Sequence, residues 1–410
     1  MTVLEAGRRA GGLLDRAAVD GLALDVGAEG YAVRGGAVAQ LLADLDAADR
    51  IAQPAPAGAW LQTGSGAFPI PKRLVFGLPA DPGAADVRAV VGEVPGPQAA
   101  SGTLAEVARA GYGQRVLDDL VTPLVGGVYS AAPEDVTLAD LAPSLAAAVA
   151  SGTPLRDAVG RAAAGAPQGG AVHGVRGGMH TLADLLADAA SGAGAAFSFG
   201  ERVTGLRRRP GGWRVTTAHR WLDAELIVVA VPLDVAVRLL GGPAVPQATA
   251  IEVITMVLDA PGLSGDAPRG TGVLVGAAVP GVVAKALTHS TAKWPWLREM
   301  AGDREVLRLS YGRRGQRPAT AGLDPVALTA LVRSDGSALL GRPLPEPAAV
   351  TRTSWTILPP GTPDLARARE WLTGQRSGGL GMVGAGIGGV GLASVVPHAR
   401  AEVKNLTSGL

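Results

Sequence analysis

The stretch "TVLEAGRRAGG", residues 2–12, decides how the rest of the chain is interpreted. Its first four residues predict a short β-strand that ends in the carboxylate of Glu5, and a turn rich in arginine and glycine follows. In a dinucleotide-binding βαβ unit, an acidic residue at the tip of the second strand binds the ribose hydroxyls, and a glycine-rich phosphate turn lies about 20 residues before it. Only Met1 precedes this strand. The stretch therefore predicts the second strand of a nucleotide site without the first.

The turn after Glu5 adds to this interpretation. Gly11 and Gly12 follow two arginines, and glycines allow the backbone to come close to a ligand. The guanidinium of Arg9 has the geometry to bind a pyrophosphate with two hydrogen bonds. Each residue taken alone is equally typical of an ordinary loop.

The composition is that of a folded globular protein: of 410 residues, 47% are hydrophobic and 18% are charged. The net charge is +1 and the basic residues are scattered, so no nucleic-acid partner is predicted. The absence of cysteine excludes disulfides, thiolate nucleophiles, Fe–S clusters and zinc–thiolate sites. Redox chemistry would therefore need a bound cofactor. The N-terminus has no signal-peptide pattern, which predicts a cytoplasmic protein.

Along the chain, strands and helices are predicted in several segments. Strands are expected at 2–5 and 22–26, in a meander over 197–232 and in the region 253–310. Helices are expected at 37–47, 104–120, 145–163 and 326–340.

A second glycine-rich segment lies near the C-terminus. The uncharged run 377–397 has the length of a membrane span, but its glycines favour a strand, a turn and a helix within a soluble fold. Within it, "GAGIGG" (384–389) fits G-x-G-x-x-G, yet no second strand with an acidic residue follows, so the match alone is weak. Such glycines suit close approach to a flat ligand at a helix N-terminus, or simply a tight corner.

Taken in order, several motifs carry a resemblance to a known family. They are "VLEAGRRAGG", "LDVGAEGY", "VTPLVGGVYSAAPEDVTLADL", "VRGGMHTLADLL", "VTGLRR", "HSTAKWPWL" and "GAGIGGVGL". The chain resembles the bacterial oxygen-dependent protoporphyrinogen/coproporphyrinogen oxidases of the flavin amine-oxidase superfamily, over almost its whole length. "TPLVGGVYS" and "KWPW" are the motifs more specific to the porphyrinogen oxidases.

The resemblance implies an α/β fold with an α+β substrate region. A Rossmann-like FAD-binding domain of the amine-oxidase type, truncated at its N-terminus, would carry an inserted substrate domain. The implied FAD-binding segments are 1–70, 166–235 and 346–410, and the implied substrate-binding segments are a helical region, 71–165, and a sheet, 236–345.

The resemblance also implies a noncovalent FAD and the residues that hold it. Glu5 would bind the ribose; Ala6, Arg9, Gly12 and Leu13 would line the pyrophosphate and ribityl path; Gly27, Ala28, Glu29 and Gly30 would face the flavin; Val203 would contact the adenine through its backbone; Val390, Gly391 and Leu392 would cover the isoalloxazine.

Three departures from the family pattern stand out. Family members begin with a strand and a glycine-rich turn of about 30 residues before "VLEA", so the resemblance predicts a misplaced start codon or a truncated gene. Where relatives carry a Pro-Gln-Tyr-like segment, this chain has Pro360 and Gly361. After Val390, "GLASVVPHA" replaces the family's Ile-Pro and acidic residue. The last two indicate either drift or a different substrate.

The implied reaction removes six electrons from a porphyrinogen in three hydride transfers to flavin N5, with O2 as the final acceptor. No catalytic side chain and no metal site are expected, because the flavin carries the chemistry and the five histidines lack metal-ligand spacing. The propionates of the substrate call for basic residues at the pocket rim. The candidates are Lys72, Arg73, Arg115, Arg176 and Lys293.

Some roles stay open at this stage. The tryptophans of "WPW" (294–296) would either stack on the macrocycle or lie in the core. The apolar helices within 100–165 would either dock on the inner face of a membrane or form a core. A contact with another enzyme of haem synthesis is also open, as are the oligomeric state and the choice between coproporphyrinogen and protoporphyrinogen.

Two alternatives to a porphyrinogen oxidase remain. One is another flavin amine oxidase or a desaturase, although seven Trp, four Tyr and four Phe leave few residues for an amine-binding aromatic cage. The other is a remnant protein that binds flavin weakly or not at all.

Overall fold

The computed structural model describes residues 1–98, 101–129, 131–165, 172–245, 248–358, 362–376 and 378–408. The strands are β1 (Thr2–Glu5), β2 (Arg16–Val19), β3 (Leu22–Asp25), β4 (Tyr31–Ala32), β5 (Ile51–Ala52), β6 (Trp60–Thr63), β7 (Gly66–Pro69), β8 (Leu74–Val75), β9 (Leu78–Pro79), β10 (Val172–Val175), β11 (Ala196–Phe199), β12 (Val203–Arg209), β13 (Gly212–Thr217), β14 (Trp221–Ala224), β15 (Ile227–Val229), β16 (Thr249–Asp259), β17 (Gly272–Val275), β18 (Ala286–His289), β19 (Arg304–Tyr311), β20 (Ala349–Ile357) and β21 (Leu380–Met382).

The helices are α1 (Ala37–Asp44), α2 (Ala85–Val91), α3 (Leu104–Tyr112), α4 (Gln114–Val116), α5 (Thr122–Tyr129), α6 (Leu138–Leu141), α7 (Pro143–Ala150), α8 (Leu155–Ala164), α9 (His180–Gly192), α10 (Leu233–Leu240), α11 (Leu263–Asp266), α12 (Ser290–Lys293), α13 (Pro295–Ala301), α14 (Pro325–Leu340), α15 (Pro363–Gly374) and α16 (Leu392–Thr407). A 3₁₀ turn covers Ala48–Arg50, and a π-helical turn covers Leu117–Val121.

The largest sheet has the strand order β20-β16-β19-β18-β17-β6-β7. All neighbouring strands are antiparallel except β17 and β6. Leu307, Leu309 and Tyr311 alternate along β19 into a core that includes Val332 of α14, whereas Val306 faces a different core with Trp294. The sheet is therefore apolar on both faces, and it joins strands from residues 60–69 to strands from 249–357.

The region from α2 to α8 is helical and has its own core, with Val87, Leu104, Leu120 and Val159 fully buried. Its apolar helix faces thus form a core among the described residues. The pattern over 104–120 predicts one helix, but the chain turns at Gly113, whose φ of 91° ends α3. The helix expected at 145–163 is likewise divided into α7 and α8. Among the residues that the structure describes, no helix combines the length and the apolar character that crossing a bilayer requires.

The described residues also form four small antiparallel sheets, with strand orders β4-β10-β5, β12-β13-β14, β2-β3 and β8-β9, and two small parallel sheets. β1 pairs with β11, with Thr2 opposite Ala196 and Glu5 opposite Phe199. β15 pairs with β21. The backbone N–H of Met382 in β21 donates to Oε1 of Glu402 in α16 at 3.0 Å, and Arg376 Nε lies 3.2 Å from the same oxygen. In a wider sheet, the N–H of Met382 would donate to a carbonyl oxygen of a neighbouring strand. Here it donates to the buried carboxylate of Glu402.

Candidate functional site

Four of the residues predicted to contact the cofactor lie together where two loops meet. The backbone N–H of Ala28 donates to the carbonyl oxygen of Leu13 at 2.8 Å. A Cβ atom on Gly27 would lie 2.0 Å from that same oxygen, so only glycine allows the loops to pack this closely. Gly12, with φ of 58°, completes the turn on the exposed side. The predicted grouping of Gly12, Leu13, Gly27 and Ala28 is therefore present in the fold.

The glycine-rich C-terminal loop reaches the same region. It connects β21 to α16, as the sequence predicts, and Gly391 is the N-cap residue of that helix. Leu392 and Ala28 pack against one hydrophobic cluster, which places the start of α16 beside the loop 27–30. Arg369 of α15 binds this glycine-rich loop: its Nε donates to the carbonyl oxygen of Gly386 at 2.6 Å.

The exposed surface of these loops fits a flat, partly apolar ligand. Leu13 is 41% exposed and Val390 is 49% exposed. A Cβ atom added to Gly12 or Gly391 would meet no atom within 4 Å, so a ligand has room against the backbone there. The N-terminus of α16 adds N–H groups and a partial positive charge. These features suit the ring end of a flavin.

The predicted ribose and adenine contacts lie at the end of β1. The N–H of Glu201 donates to the carbonyl oxygen of Glu5 at 2.9 Å, two residues before Val203 begins β12. Oε1 of Glu5 accepts from the N–H of Gly7 at 2.5 Å, and Ala6 is exposed beside it. Glu5 and Val203 are therefore brought to the same end of the sheet.

Arg9 is placed differently from what its predicted role requires. Its guanidinium lies 2.8 Å from Asp184 and 3.6 Å from Asp15. Its charge is thus already compensated by two carboxylates, and binding a pyrophosphate would mean exchanging these partners.

The side chain of Glu29 points into a charged cluster against the large sheet. Oε1 accepts from Ser290 Oγ at 2.5 Å, and Oε2 lies 3.3 Å from Lys293 Nζ and 3.6 Å from a guanidinium nitrogen of Arg308. Burial alone would raise the pKa of Glu29, but attraction to Lys293 and Arg308 and the hydrogen bonds lower it to about 2. Lys293, predicted to bind substrate, is therefore the cationic partner of Glu29. Gly30 packs on β10, where a Cβ would lie 2.9 Å from the carbonyl oxygen of His173.

Two residues that sequence reasoning missed hold the loop 25–30 to the large sheet. A terminal nitrogen of Arg308 donates to the carbonyl oxygen of Gly27 at 2.7 Å, and Trp355 Nε1 donates to that of Val26 at 3.0 Å. A signal was available for Arg308, since it is the only cation inside the apolar run "VLRLSY" of a buried strand. No local pattern marks Trp355, because its partner is distant in sequence.

Asp25 anchors the same loop from its other end. Its carboxylate accepts from the N–H of Met179 at 2.7 Å and from the N–H of His180 at 3.0 Å, and it lies 2.7 Å from Nδ1 of His180. These bonds hold the start of α9 against the turn after β3. The motifs "LDVG" and "RGGMH" are thus joined by one buried carboxylate.

A second buried carboxylate, Glu305, ties β19 to its neighbours. Oε1 accepts from the N–H of Ser264 at 2.9 Å, and Oε2 lies 3.1 Å from Nε2 of His289. The Glu305 carboxylate also accepts hydrogen bonds from the hydroxyls of Ser264 and Thr291 and from the guanidinium of Arg298. Burial acts to raise the pKa of Glu305, and the hydrogen bonds outweigh it and lower the pKa to about 2. Across the described ranges, no group of three or more His, Asp or Glu side chains is arranged to hold a metal ion.

The other predicted substrate residues lie on the surface. The N–H of Lys72 donates to Asp86, Arg73 is exposed with φ of 58°, and Arg115 contacts Asp119 at 3.4 Å and the carbonyl oxygen of Val90 at 3.0 Å. Arg176, on the turn before α9, is 3.8 Å from Glu299. Lys72 and Arg115 both contact α2, whereas Arg176 contacts Glu299 of α13.

Two further expectations concern tryptophan and the C-terminal departures. Trp294 is fully buried and packs in a core with Leu297, with Trp296 packed against it, which favours the core role for "WPW". Pro360 and Gly361 lie outside the described residues. The other departure, "GLASVVPHA", forms the first turns of α16 and includes Pro397.

Comparisons with known proteins show which family the chain resembles. Residues 1–360 match the family described as flavin containing amine oxidoreductase. The coproporphyrinogen III oxidase of Mycobacterium tuberculosis is 32% identical over 346 residues, 79% of this chain and 73% of the relative. That of Mycobacterium leprae is 30% identical over 347 residues, 79% and 74% of the two chains.

Solved structures share the fold. A structure assigned to protoporphyrinogen oxidase, from Exiguobacterium sp. 255-15, aligns with a TM-score of 0.81 at 22% identity over 100% of this chain and 93% of that one. A putrescine oxidase variant aligns with a TM-score of 0.68 at 14% identity over 100% and 93%. From the family match and the identity to its curated relatives, the chain belongs to the flavin-containing amine oxidoreductases.

Proposed function

We propose that the protein is an FAD-dependent, oxygen-consuming porphyrinogen oxidase of haem synthesis, with coproporphyrinogen III as its substrate. The support is the identity of 30–32% to proteins named coproporphyrinogen III oxidase over 79% of the chain. When bound, the flavin would supply the hydride-accepting redox chemistry, with O2 as the final electron acceptor, and the residues of the loop 27–30, Gly12, Leu13 and the start of α16 would hold it.

One observation carries the flavin part of this proposal. The turn at Gly12 and Leu13 packs on the loop 27–30, Leu392 at the start of α16 packs against the same cluster as Ala28, and Leu13 and Val390 present an exposed apolar surface. In this arrangement the chain's residues bind and orient a planar ring, and Leu13 and Val390 shield it from water. Arg308 and Trp355 fix the loop without touching that surface.

The substrate would be held by its carboxylates. We propose Lys72, Arg73, Arg115, Arg176 and Lys293 for this role because carboxylates pair with Lys and Arg. Lys72 and Arg73 are exposed beside the helical region, and Arg115 is exposed while its guanidinium also contacts Asp119. Lys293 would act while also bound to Glu29.

The test is to purify the protein, titrate it with FAD and follow the flavin absorbance. Release of the bound flavin by denaturation and chromatography then separates FAD from FMN. Coproporphyrinogen III, protoporphyrinogen IX and putrescine are supplied in turn with O2. We expect porphyrin fluorescence with coproporphyrinogen III. Oxidation of putrescine alone would contradict the proposal in favour of an amine oxidase, and no flavin binding would indicate a remnant.

A further inference from the structure

The described partners of Glu29 belong to two elements of the fold. Ser290 and Lys293 lie in α12, with Ser290 Oγ 2.5 Å from one carboxylate oxygen and Lys293 Nζ 3.3 Å from the other. Arg308 lies in β19, and its guanidinium is 3.6 Å from the same carboxylate. Glu29 therefore keeps all three contacts only while α12 and β19 hold a fixed position relative to each other.

A second carboxylate, that of Glu305 at the start of β19, ties α12 to this strand. Its Oε2 accepts a hydrogen bond from the hydroxyl of Thr291 in α12. The N–H of Val306 in β19 donates to the same Thr291 oxygen at 3.2 Å. His289, the N-cap residue of α12, has its Nε2 3.1 Å from Oε2 of Glu305. Three contacts thus join one turn of helix to the first two residues after Arg304.

The burial of these groups makes their geometry specific. Glu305 and His289 are 0% exposed, and Thr291 is 2% exposed. An ionised carboxylate is stable in such a place only when its oxygens accept hydrogen bonds, whereas an exposed ion pair contributes little. A movement of α12 away from β19 would break these bonds, so we expect α12 to stay in place while they are intact.

We propose that Glu305 is a positioning residue for the loop 27–30. It fixes α12 against β19, and α12 presents Ser290 and Lys293 to Glu29 of this loop. The described hydrogen bonds of Glu305 include none to the loop itself, so it acts through α12. The consequence for cofactor binding rests on the proposed function, in which this loop faces the flavin.

Two matched variants separate this role from a general contribution to stability. The hydroxyls of Thr291 and Ser264 each donate to Oε2 of Glu305 and each accept a further hydrogen bond. Thr291 belongs to α12, whereas Ser264 belongs to α11. Thr291→Val and Ser264→Ala therefore remove equivalent bonds, and Thr291→Ser keeps the hydroxyl. Glu305 itself is left in place, because its removal would leave several buried donors without an acceptor at once.

The first measurement is hydrogen exchange in the protein without flavin. The N–H of Ala28 reports on the loop, because it donates to the neighbouring turn at 2.8 Å, and the N–H of Leu104, bonded at 2.7 Å in the helical core, reports on the whole fold. In Thr291→Val we expect exchange to accelerate about tenfold more at Ala28 than at Leu104. Equal acceleration at both amides, or the same pattern in Ser264→Ala, would overturn the proposal.

The second measurement is the FAD affinity of the same variants, from titration of the flavin absorbance. We expect Thr291→Val to bind FAD about tenfold more weakly than the wild type, and Thr291→Ser and Ser264→Ala to stay within about twofold of it. Equal affinity of Thr291→Val and a wild type that binds FAD would contradict the part of the proposal that concerns the cofactor. If the wild type binds no FAD, the proposed function fails, and hydrogen exchange alone confirms or overturns the role of Glu305.

Discussion

Arg308 of β19 donates a hydrogen bond at 2.7 Å to the carbonyl oxygen of Gly27, a residue 281 positions earlier in the chain. The same guanidinium lies 3.6 Å from Glu29. One buried cation therefore fixes both the backbone and the side chain of the loop predicted to face the flavin.

Replacing this cation should weaken cofactor binding. Arg308→Met removes the bond to Gly27 and leaves Glu29 with one cation fewer, so we expect about a 10- to 100-fold loss of FAD affinity, as for a lost charged hydrogen bond. Titration of flavin absorbance measures this loss. Arg304→Met is the matched control on the same strand, because Arg304 pairs with Asp20 at the partly exposed end. Equal affinity in the Arg308 and Arg304 variants would contradict the role given to Arg308.

A methyl group at Gly27 should separate the two loops that form the candidate site. In Gly27→Ala, the new Cβ would lie 2.0 Å from the carbonyl oxygen of Leu13, so we expect destabilisation of about 2 kcal/mol together with loss of flavin binding. Urea unfolding and flavin titration measure the two effects. Gly374→Ala is the control, since a Cβ there meets no atom within 4 Å. If Gly27→Ala binds flavin normally, the close contact of the loops is not required.

The pKa of Glu29 predicts how stability depends on pH. Its pKa is about 2 in the folded protein, against 4.5 for the unperturbed group. The ionised form is thus favoured by folding, so its stabilising contribution is present above about pH 4.5 and is lost as the pH falls towards 2. We expect Glu29→Gln to lower the free energy of unfolding by on the order of 3 kcal/mol at pH 7.

The measurement is denaturant unfolding of the wild type and Glu29→Gln from pH 7 to pH 3. The difference between the two should shrink over the acidic part of this range. A difference that is the same at pH 7 and pH 3 would show that the charge of Glu29 is not the source of its contribution. Glu305 has its pKa lowered to about 2 as well, so the Glu29→Gln variant should still lose stability in acid.

We expect Glu402 to stabilise the small sheet formed by β15 and β21. Its carboxylate is buried and accepts from the N–H of Met382. Glu402→Ala leaves that N–H without a described partner, and we expect a loss of about 2 kcal/mol in the free energy of unfolding. Glu370→Ala, at an exposed position of α15, should change it by less than about 0.5 kcal/mol. Equal unfolding curves for the two variants would show that Glu402 does not support β21.

Local patterns predicted much of the fold. β1 occupies the expected residues 2–5, and α14 (Pro325–Leu340) covers the expected helix at 326–340. Both have clear apolar periodicity and end signals, such as the N-cap Asp324 before Pro325. The helical pattern expected over 104–120 is confirmed except for a break at Gly113, whose φ of 91° ends α3, and no periodicity of apolar residues marks that break.

The candidate site was predictable only in part. The family resemblance pointed to Gly12, Leu13, Gly27 and Ala28, and these residues do lie together. The same resemblance could not indicate that Arg9 would already be paired with Asp184. Trp355 was missed because strand pairing, and not local sequence, brings it to Val26.

The contacts that hold the loop 25–30 also limit how early this loop can reach its native position during synthesis. Lys293, Arg308 and Trp355 follow their partners in this loop by 264, 281 and 329 residues. At about 5–20 residues per second, the ribosome needs on the order of 13 to 66 s to make that length of chain. The loop therefore cannot complete these three contacts until the chain has been made as far as Trp355.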